Sequence, residues 1–133
     1  MKIMVLDDDK ARHKRFKTNL IGKLVTHVYT VEEAREALSK ETFDVVYLDH
    51  DLNDHESSSL DYSSTYGGPR EMTGVDVALA VAKLPPDRMP RLAIVHSFNP
   101  EGANNIVLVL KGKVPQVVKQ PFHEKIGLDL RVW

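Results

Sequence analysis

The sequence contains no cysteine. This excludes a disulfide scaffold, a thiolate metal site and a thiol nucleophile, and it leaves the redox compartment open. No apolar run approaches the roughly 18 residues that a membrane-spanning helix requires. The apolar start at residues 1–6 is shorter than the core of a secretion signal and leads directly into three aspartates. We therefore expect a soluble cytoplasmic protein without membrane contact.

Neither sign of charge predominates, because 18 Lys and Arg residues stand against 19 Asp and Glu residues, for a net charge of −1. No broad basic surface is expected, so duplex DNA is not a predicted partner. A length of 133 residues with 42% hydrophobic content suits one domain with its own core. We predict a single domain over residues 1–133.

Short apolar runs alternate with segments of helical periodicity, which predicts an α/β fold with a parallel sheet. The predicted strands cover residues 3–6, 25–29, 43–48, 92–95 and 114–119. The predicted helices cover residues 10–20, 75–84 and 100–110. A further helix is predicted to begin directly after Thr30, which has the spacing of a capping box. The chain after residue 120 leaves room for one short helix or an extended tail.

The segment 52–73 shows neither the hydrophobic period of a helix nor that of a strand, and it is rich in Asp, Ser, Tyr and Gly. This pattern predicts a long inserted loop. Tyr62, Tyr66 and Arg70 are residue types that stack on bases and hold phosphates, so we predict that Arg70 binds substrate. His55 is a possible ligand. A self-packed or solvated loop is the alternative for all four.

Charged side chains follow four of the predicted strands. They are Asp7 and Asp8, then Asp49, His50 and Asp51, then His96, and finally Lys119. In an open α/β sheet, ligands bind in the crevice beyond the carboxyl ends of the strands. We therefore predict that these residues form one site.

Carboxylates that converge on one pocket raise one another's pKa unless a cation lies between them. We predict that Asp7, Asp8 and Asp49 bind a divalent metal ion. Oxygen ligands alone favour Mg²⁺ or Mn²⁺, whereas added histidines favour Mn²⁺ or Zn²⁺. The alternative is that these acids cap helices or lie solvated at strand ends.

A metal beside a phosphodiester suits hydrolysis, in which His96 is the candidate acid or base and Lys119 the candidate phosphate contact. In this hydrolysis Asp49 acts as a metal ligand and water attacks the phosphate. In a different reaction the same carboxylate would act as the nucleophile. For His96, the alternative is a hydrogen-bonded core histidine. His50 points away from Asp49 by the period of two, so a structural role competes with substrate binding.

The segment after the fourth strand supplies the remaining candidates. Ser97 and Asn99 are predicted to bind substrate, and Gly102 is a possible contributor. Asn99 and Gly102 are also explained as a helix cap and a glycine at a close approach. Both explanations are compatible, since N–H groups that open a helix point at an anion.

This ordered set of residues resembles a response-regulator receiver domain. The resemblance implies a doubly wound, flavodoxin-like sheet of five parallel strands in the order 2-1-3-4-5. It also implies a Mg²⁺-binding pair at Asp7 and Asp8, a phosphoacceptor at Asp49, and a metal-binding backbone carbonyl at Asp51. Lys119 matches the lysine of the family, and Gly74 the glycine that begins its third helix.

Four departures accompany the resemblance. His96 stands where receivers carry Ser or Thr, and Gln120 separates Lys119 from Pro121. The 52–73 insertion is longer than in ordinary receivers, and the last helix is shortened. Together with the motifs Leu48-Asp49-His50-Asp51-Leu52 and His96–Gly102, these departures resemble the cyclic-phosphate-processing receiver (cREC) domains of bacteria and phages.

That branch is proposed to act on cyclic phosphates, for instance in RNA repair. The resemblance implies a metal-dependent phosphoesterase whose substrate is a cyclic-phosphate nucleotide or RNA end. One alternative is a stand-alone receiver that is phosphorylated on Asp49 and signals to a protein partner. Another is a protein that binds a nucleotide phosphate without chemistry.

Overall fold

The computed structural model describes residues 1–52, 72–128 and 130. Five parallel strands form one sheet in the order β2-β1-β3-β4-β5, which confirms the predicted topology. The strands are β1 (Lys2–Leu6), β2 (Leu24–Val28), β3 (Val45–Leu48), β4 (Leu92–Val95) and β5 (Gln116–Lys119). Within the described residues, no helix is both long and apolar enough to cross a membrane.

Four α-helices lie in the described part of the chain. They are α1 (Lys10–Asn19), α2 (Val31–Lys40), α3 (Gly74–Ala82) and α4 (Pro100–Leu110). Asp9, Thr30 and Asn99 each cap a helix through a side-chain oxygen, as their positions in the sequence predict. The third helix begins one residue before the predicted start, because Thr73 caps it in a capping box with Asp76.

The sheet is buried on both faces, which explains its continuous apolar strands. Leu6, Leu48 and Val95 belong to the core under α2, α3 and α4. On the opposite face, Phe16 of α1 and Tyr47 of β3 belong to a second core. Side chains alternate between these faces along each strand.

Strand β5 begins at Gln116 rather than at the predicted residue 114. Val114 forms only an isolated bridge with Lys111, and Pro115 has no N–H group to donate to a ladder. The register of β5 against β4 therefore starts with the pair Leu92 and Gln116.

A short turn follows β5 in the described residues, in agreement with the expected shortening of the last helix. Ile126 and Leu130 bury their side chains against the α1 face of the sheet. The side chain of Asn19 donates to the carbonyl oxygens of Glu124 and Ile126, at 2.7 and 2.9 Å. These contacts attach the C-terminal segment to α1.

Candidate functional site

Three buried polar side chains meet beyond the carboxyl ends of β1, β3 and β4. They belong to Asp7, Asp49 and His96, which are 0%, 4% and 1% exposed. One potential ligand atom from each lies within 4.8 Å of the others. The register explains the meeting, because Leu6, Leu48 and Val95 are paired across the sheet, and each site residue is the next one along the chain.

Asp7 accepts four hydrogen bonds. Its Oδ1 accepts from the Asp9 backbone N–H at 2.8 Å and from Arg12 Nη2 at 3.0 Å. Its Oδ2 lies 2.7 Å from Arg12 Nε and 2.9 Å from His96 Nε2. Burial alone would raise the pKa of Asp7, but the bonds from His96 and Arg12 outweigh it and hold this pKa well below its usual range. Asp7 is therefore an anion throughout the physiological pH range.

Arg12 is a member of the site that was not predicted from the sequence. Besides its two bonds to Asp7, its Nη2 lies 3.5 Å from Asp49 Oδ2 and 3.7 Å from Asp8 Oδ1. A sequence signal for it existed: Arg12 lies in the first turn of the helix that Asp9 caps. Helical side chains lean toward the N-terminus of their helix, and here that direction leads to the acids.

His13 supports Asp7 from the backbone side. The imidazole of His13 is 1% exposed, and its Nε2 lies 2.7 Å from the Asp7 carbonyl oxygen. Its Nδ1 lies 2.6 Å from Nδ1 of His27. The contact between His13 and the Asp7 carbonyl oxygen holds the backbone where the chain leaves β1.

His96 is held by packing and by one polar contact. Its ring lies edge-on to Phe16, with centroids 5.4 Å apart. Since an ionised carboxylate only accepts, Nε2 carries the proton in the contact with Asp7. Nδ1 is buried without a hydrogen-bond partner among the described residues. The protonated nitrogen therefore faces the two carboxylates.

Asp49 differs from Asp7 in the direction of its pKa shift. Burial raises the pKa of Asp49 to about 6, and the charge of Asp7 adds to this rise, against the opposite effects of His96 and Arg12. The two buried carboxylates thus have pKa values displaced in opposite directions.

The sequence model of the Cyclic-phosphate processing Receiver domain family matches residues 1–112. The chain belongs to this receiver family. No curated protein matches the chain.

Solved receiver structures show the same fold at low sequence identity. A CheY-like receiver domain protein from Methanospirillum hungatei JF-1 is 21% identical, with a TM-score of 0.64 over 98% of this chain and 90% of that chain. A CheY-like receiver domain from Methylobacillus flagellatus is 16% identical, with a TM-score of 0.65 over 99% and 95%. The BeF3-activated DrrB receiver domain is 23% identical, with a TM-score of 0.62 over 98% and 92%.

In this receiver, Asp51 lies apart from the buried cluster. Its exposed carboxylate is 2.6 Å from His50 Nδ1 and accepts from the Asn99 side chain at 3.2 Å. His50 packs on Gly102, where an added Cβ would lie 2.3 Å from the ring. Ser97 Oγ accepts from the backbone N–H of Asn99 at 3.1 Å. These residues connect the end of β3 with the start of α4. Their side chains form a second polar cluster at the rim of the site.

Lys119 does not reach the carboxylates in this structure. It is paired with Val95 across the sheet, so its side chain extends on the α4 face, where Nζ donates to Asn104 at 2.6 Å. Gln120, one residue later, is level with His96. Arg12 therefore supplies the positive charge at the pocket where the sequence predicted Lys119. His55 and Arg70 lie outside the described residues, as does most of the predicted 52–73 loop.

The chemistry of Asp7, Asp49 and His96 fits a divalent metal ion. Two carboxylate oxygens and one imidazole nitrogen form a donor set that suits Mn²⁺ or Zn²⁺, and Mg²⁺ if water completes the shell. Asp8 lies at the edge of this set, beside Arg12, and Asp51 is not part of it. The buried cluster thus contains two of the four predicted aspartates, Asp7 and Asp49, with His96 beside them.

The raised pKa of Asp49 predicts how stability depends on pH in the metal-free receiver. Protonated Asp49 contributes to the free energy of unfolding. This contribution is fully present below about pH 4 and is lost as the pH rises through about 6. We expect Asp49→Asn to raise the free energy of unfolding by about 3 kcal/mol near pH 8, and by little near pH 4.

Urea unfolding in excess EDTA at the two pH values measures this difference. Asp87→Asn, at an exposed aspartate, is the matched control and should change neither value. An Asp49→Asn protein that is less stable than wild type near pH 8 contradicts the prediction.

Proposed function

We propose that this receiver is a metal-dependent phosphoesterase that processes the cyclic phosphate of a nucleotide or RNA end. The observation that carries the proposal is His96, whose protonated Nε2 faces Asp7 and Asp49 inside the buried cluster. Imidazole exchanges protons near neutral pH, which the hydroxyl of an ordinary receiver does not. The family description supports the substrate class. Such substrates are intracellular, so we propose a cytoplasmic location.

Asp7 and Asp49 are the residues that would hold the ion, and His96 stays beside them as a proton donor. A bound divalent ion supplies charge neutralisation at the phosphate oxygens and lowers the pKa of a coordinated water. Asp7 is ionised at any working pH, and Asp49 is ionised above about pH 6. The pocket therefore gains its full negative charge near neutral pH.

The proton of the reaction is assigned to His96. Asp7 holds Nε2–H toward the pocket, and the edge of Phe16 limits rotation of the ring. When the ring of the cyclic phosphate opens, the imidazolium form of His96 gives its Nε2 proton to the departing alkoxide oxygen and becomes a neutral imidazole. Water then returns a proton to Nε2, and the Asp7 anion stabilises the positive charge of the restored imidazolium.

Turnover assays test the proposal. The purified protein is incubated with Mg²⁺, Mn²⁺ or Zn²⁺ and a panel of 2′,3′-cyclic nucleotides, cyclic signalling nucleotides and RNA ends with cyclic phosphates. Products are resolved by chromatography. We expect metal-dependent turnover by wild type and by the exposed-site control Asp87→Ala, and none by Asp49→Ala. Absence of turnover by wild type with every metal refutes the phosphoesterase.

A second candidate is a signalling receiver that accepts a phosphoryl group on Asp49. The receiver fold and the position of Asp49 directly after β3 favour it. It predicts that a small phosphodonor with Mg²⁺ adds the mass of one phosphoryl group to wild type, and none to Asp49→Ala. Stoichiometric binding of a nucleotide without product or mass change identifies the third alternative, a non-catalytic binding protein.

A further inference from the structure

Arg12 occupies the acidic pocket with a single guanidinium group. Its Nε and Nη2 bind both oxygens of Asp7 at 2.7 and 3.0 Å, and the same Nη2 lies near Asp49 and Asp8. The side chain is 24% exposed, and its Cζ lies 6.0 Å from the centroid of the Phe122 ring. A permanent positive charge thus lies between carboxylates that otherwise repel one another.

The carboxylate of Asp7 has no acceptor position to spare. A carboxylate offers about four lone-pair positions, and Asp7 uses four, toward Asp9 N–H, His96 and twice toward Arg12. A divalent ion that uses an oxygen of Asp7 must therefore displace one of these donors.

Arg12 is the donor that can leave. The Asp9 donor is a backbone N–H that belongs to the turn before α1, and His96 is 1% exposed and packed against Phe16. Arg12 is partly exposed and is attached through a long flexible side chain. The positive charge of a metal at Asp7 and Asp49 also repels the guanidinium, which favours the same outcome.

We propose that Arg12 and a divalent ion compete for Asp7, and that the displaced guanidinium binds the phosphate group of the ligand. The phosphate part rests on the proposed function. A guanidinium matches two phosphate oxygens with parallel hydrogen bonds. Lys119, the predicted phosphate contact, is instead bound to Asn104 on the α4 face. Metal binding in this receiver thereby frees the group that recognises the anion.

Titration of Mn²⁺ by calorimetry tests the competition in wild type, Arg12→Gln, Arg12→Lys and the control Arg15→Gln. Arg15 lies exposed on the same helix. We expect Arg12→Gln to bind Mn²⁺ about tenfold or more tightly than wild type, since a charge-assisted contact no longer competes. Arg12→Lys should lie between them, and Arg15→Gln should match wild type. An unchanged or weaker affinity in Arg12→Gln, or no Mn²⁺ binding by wild type, overturns the competition.

Inorganic phosphate added to the Mn²⁺-saturated proteins tests the second half. We expect Arg12→Gln to bind phosphate about tenfold more weakly than wild type and Arg15→Gln. Equal phosphate affinity overturns the assignment.

A measurement on wild type keeps the test independent of how the variants fold. The Nε–H resonance of Arg12, followed by NMR, should move to the position of an exposed arginine when Mg²⁺ is added. An unchanged resonance at saturating Mg²⁺ overturns the competition. None of these readouts uses turnover, so a protein that passes them without hydrolysing any substrate removes the phosphoesterase and leaves the competition standing.

Discussion

His96→Gln is expected to lower kcat of the metal-dependent reaction by about 10²- to 10⁴-fold, the usual contribution of one general acid or base. Glutamine can still donate a hydrogen bond toward Asp7, but its amide does not exchange protons near neutral pH. The loss should therefore appear in kcat more than in KM. Steady-state kinetics with Mn²⁺ and the best cyclic substrate measure it.

The control for this variant is His123→Gln. His123 is exposed and its ring accepts a bond from the backbone N–H of Lys125, away from the carboxylates, so its replacement should leave kcat unchanged. The Mn²⁺ affinity of His96→Gln should stay within a few-fold of wild type if proton transfer is the main role of His96. An unchanged kcat contradicts the assignment, and a parallel loss of Mn²⁺ affinity makes His96 a ligand rather than the acid.

Gly74→Ala is expected to lower the free energy of unfolding by about 3 kcal/mol or more, at the upper end of the cost of overpacking. An added Cβ at Gly74 would lie 2.0 Å from the carbonyl oxygen of Asp49 and 2.9 Å from the Cα of His50. Both atoms are backbone, so relief requires α3 to move away from the end of β3. Urea unfolding at neutral pH measures the loss.

Gly102→Ala is the matched comparison, because the obstacle there is a side chain. The added Cβ would contact the ring of His50, which can rotate away at the cost of its contact with Asp51. We expect a smaller loss, about 1 kcal/mol, together with a changed His50 ring resonance. A loss as large as that of Gly74→Ala would show that the rim is as rigid as the start of α3.

Much of the scaffold could be predicted because its signals are local. Residues 92–95 form a buried strand with the predicted bounds, and 100–110 form the predicted helix. Asp9 and Thr30 cap helices because a side-chain oxygen reaches N–H groups two or three residues later. Bounds shifted where a neighbour intervened, as at Pro115 before β5.

The sequence by itself also determined which residues reach the end of the sheet. Asp7, Asp49 and His96 each follow an apolar run, and parallel strands bring their carboxyl ends to one edge. The period of two further indicated that His50 points away from Asp49, and the structure places His50 on Gly102.

Only the tertiary structure decided which positive charge faces the carboxylates. The pairing of Lys119 with Val95 turns Lys119 toward α4, while the packing of α1 on the opposite face brings Arg12 to Asp7. Both outcomes depend on register and on which face a helix covers, and these are set by contacts between segments distant in the chain. A local pattern places Arg12 in the first turn of α1, but it gives neither the register nor the covered face, so it does not decide between Arg12 and Lys119.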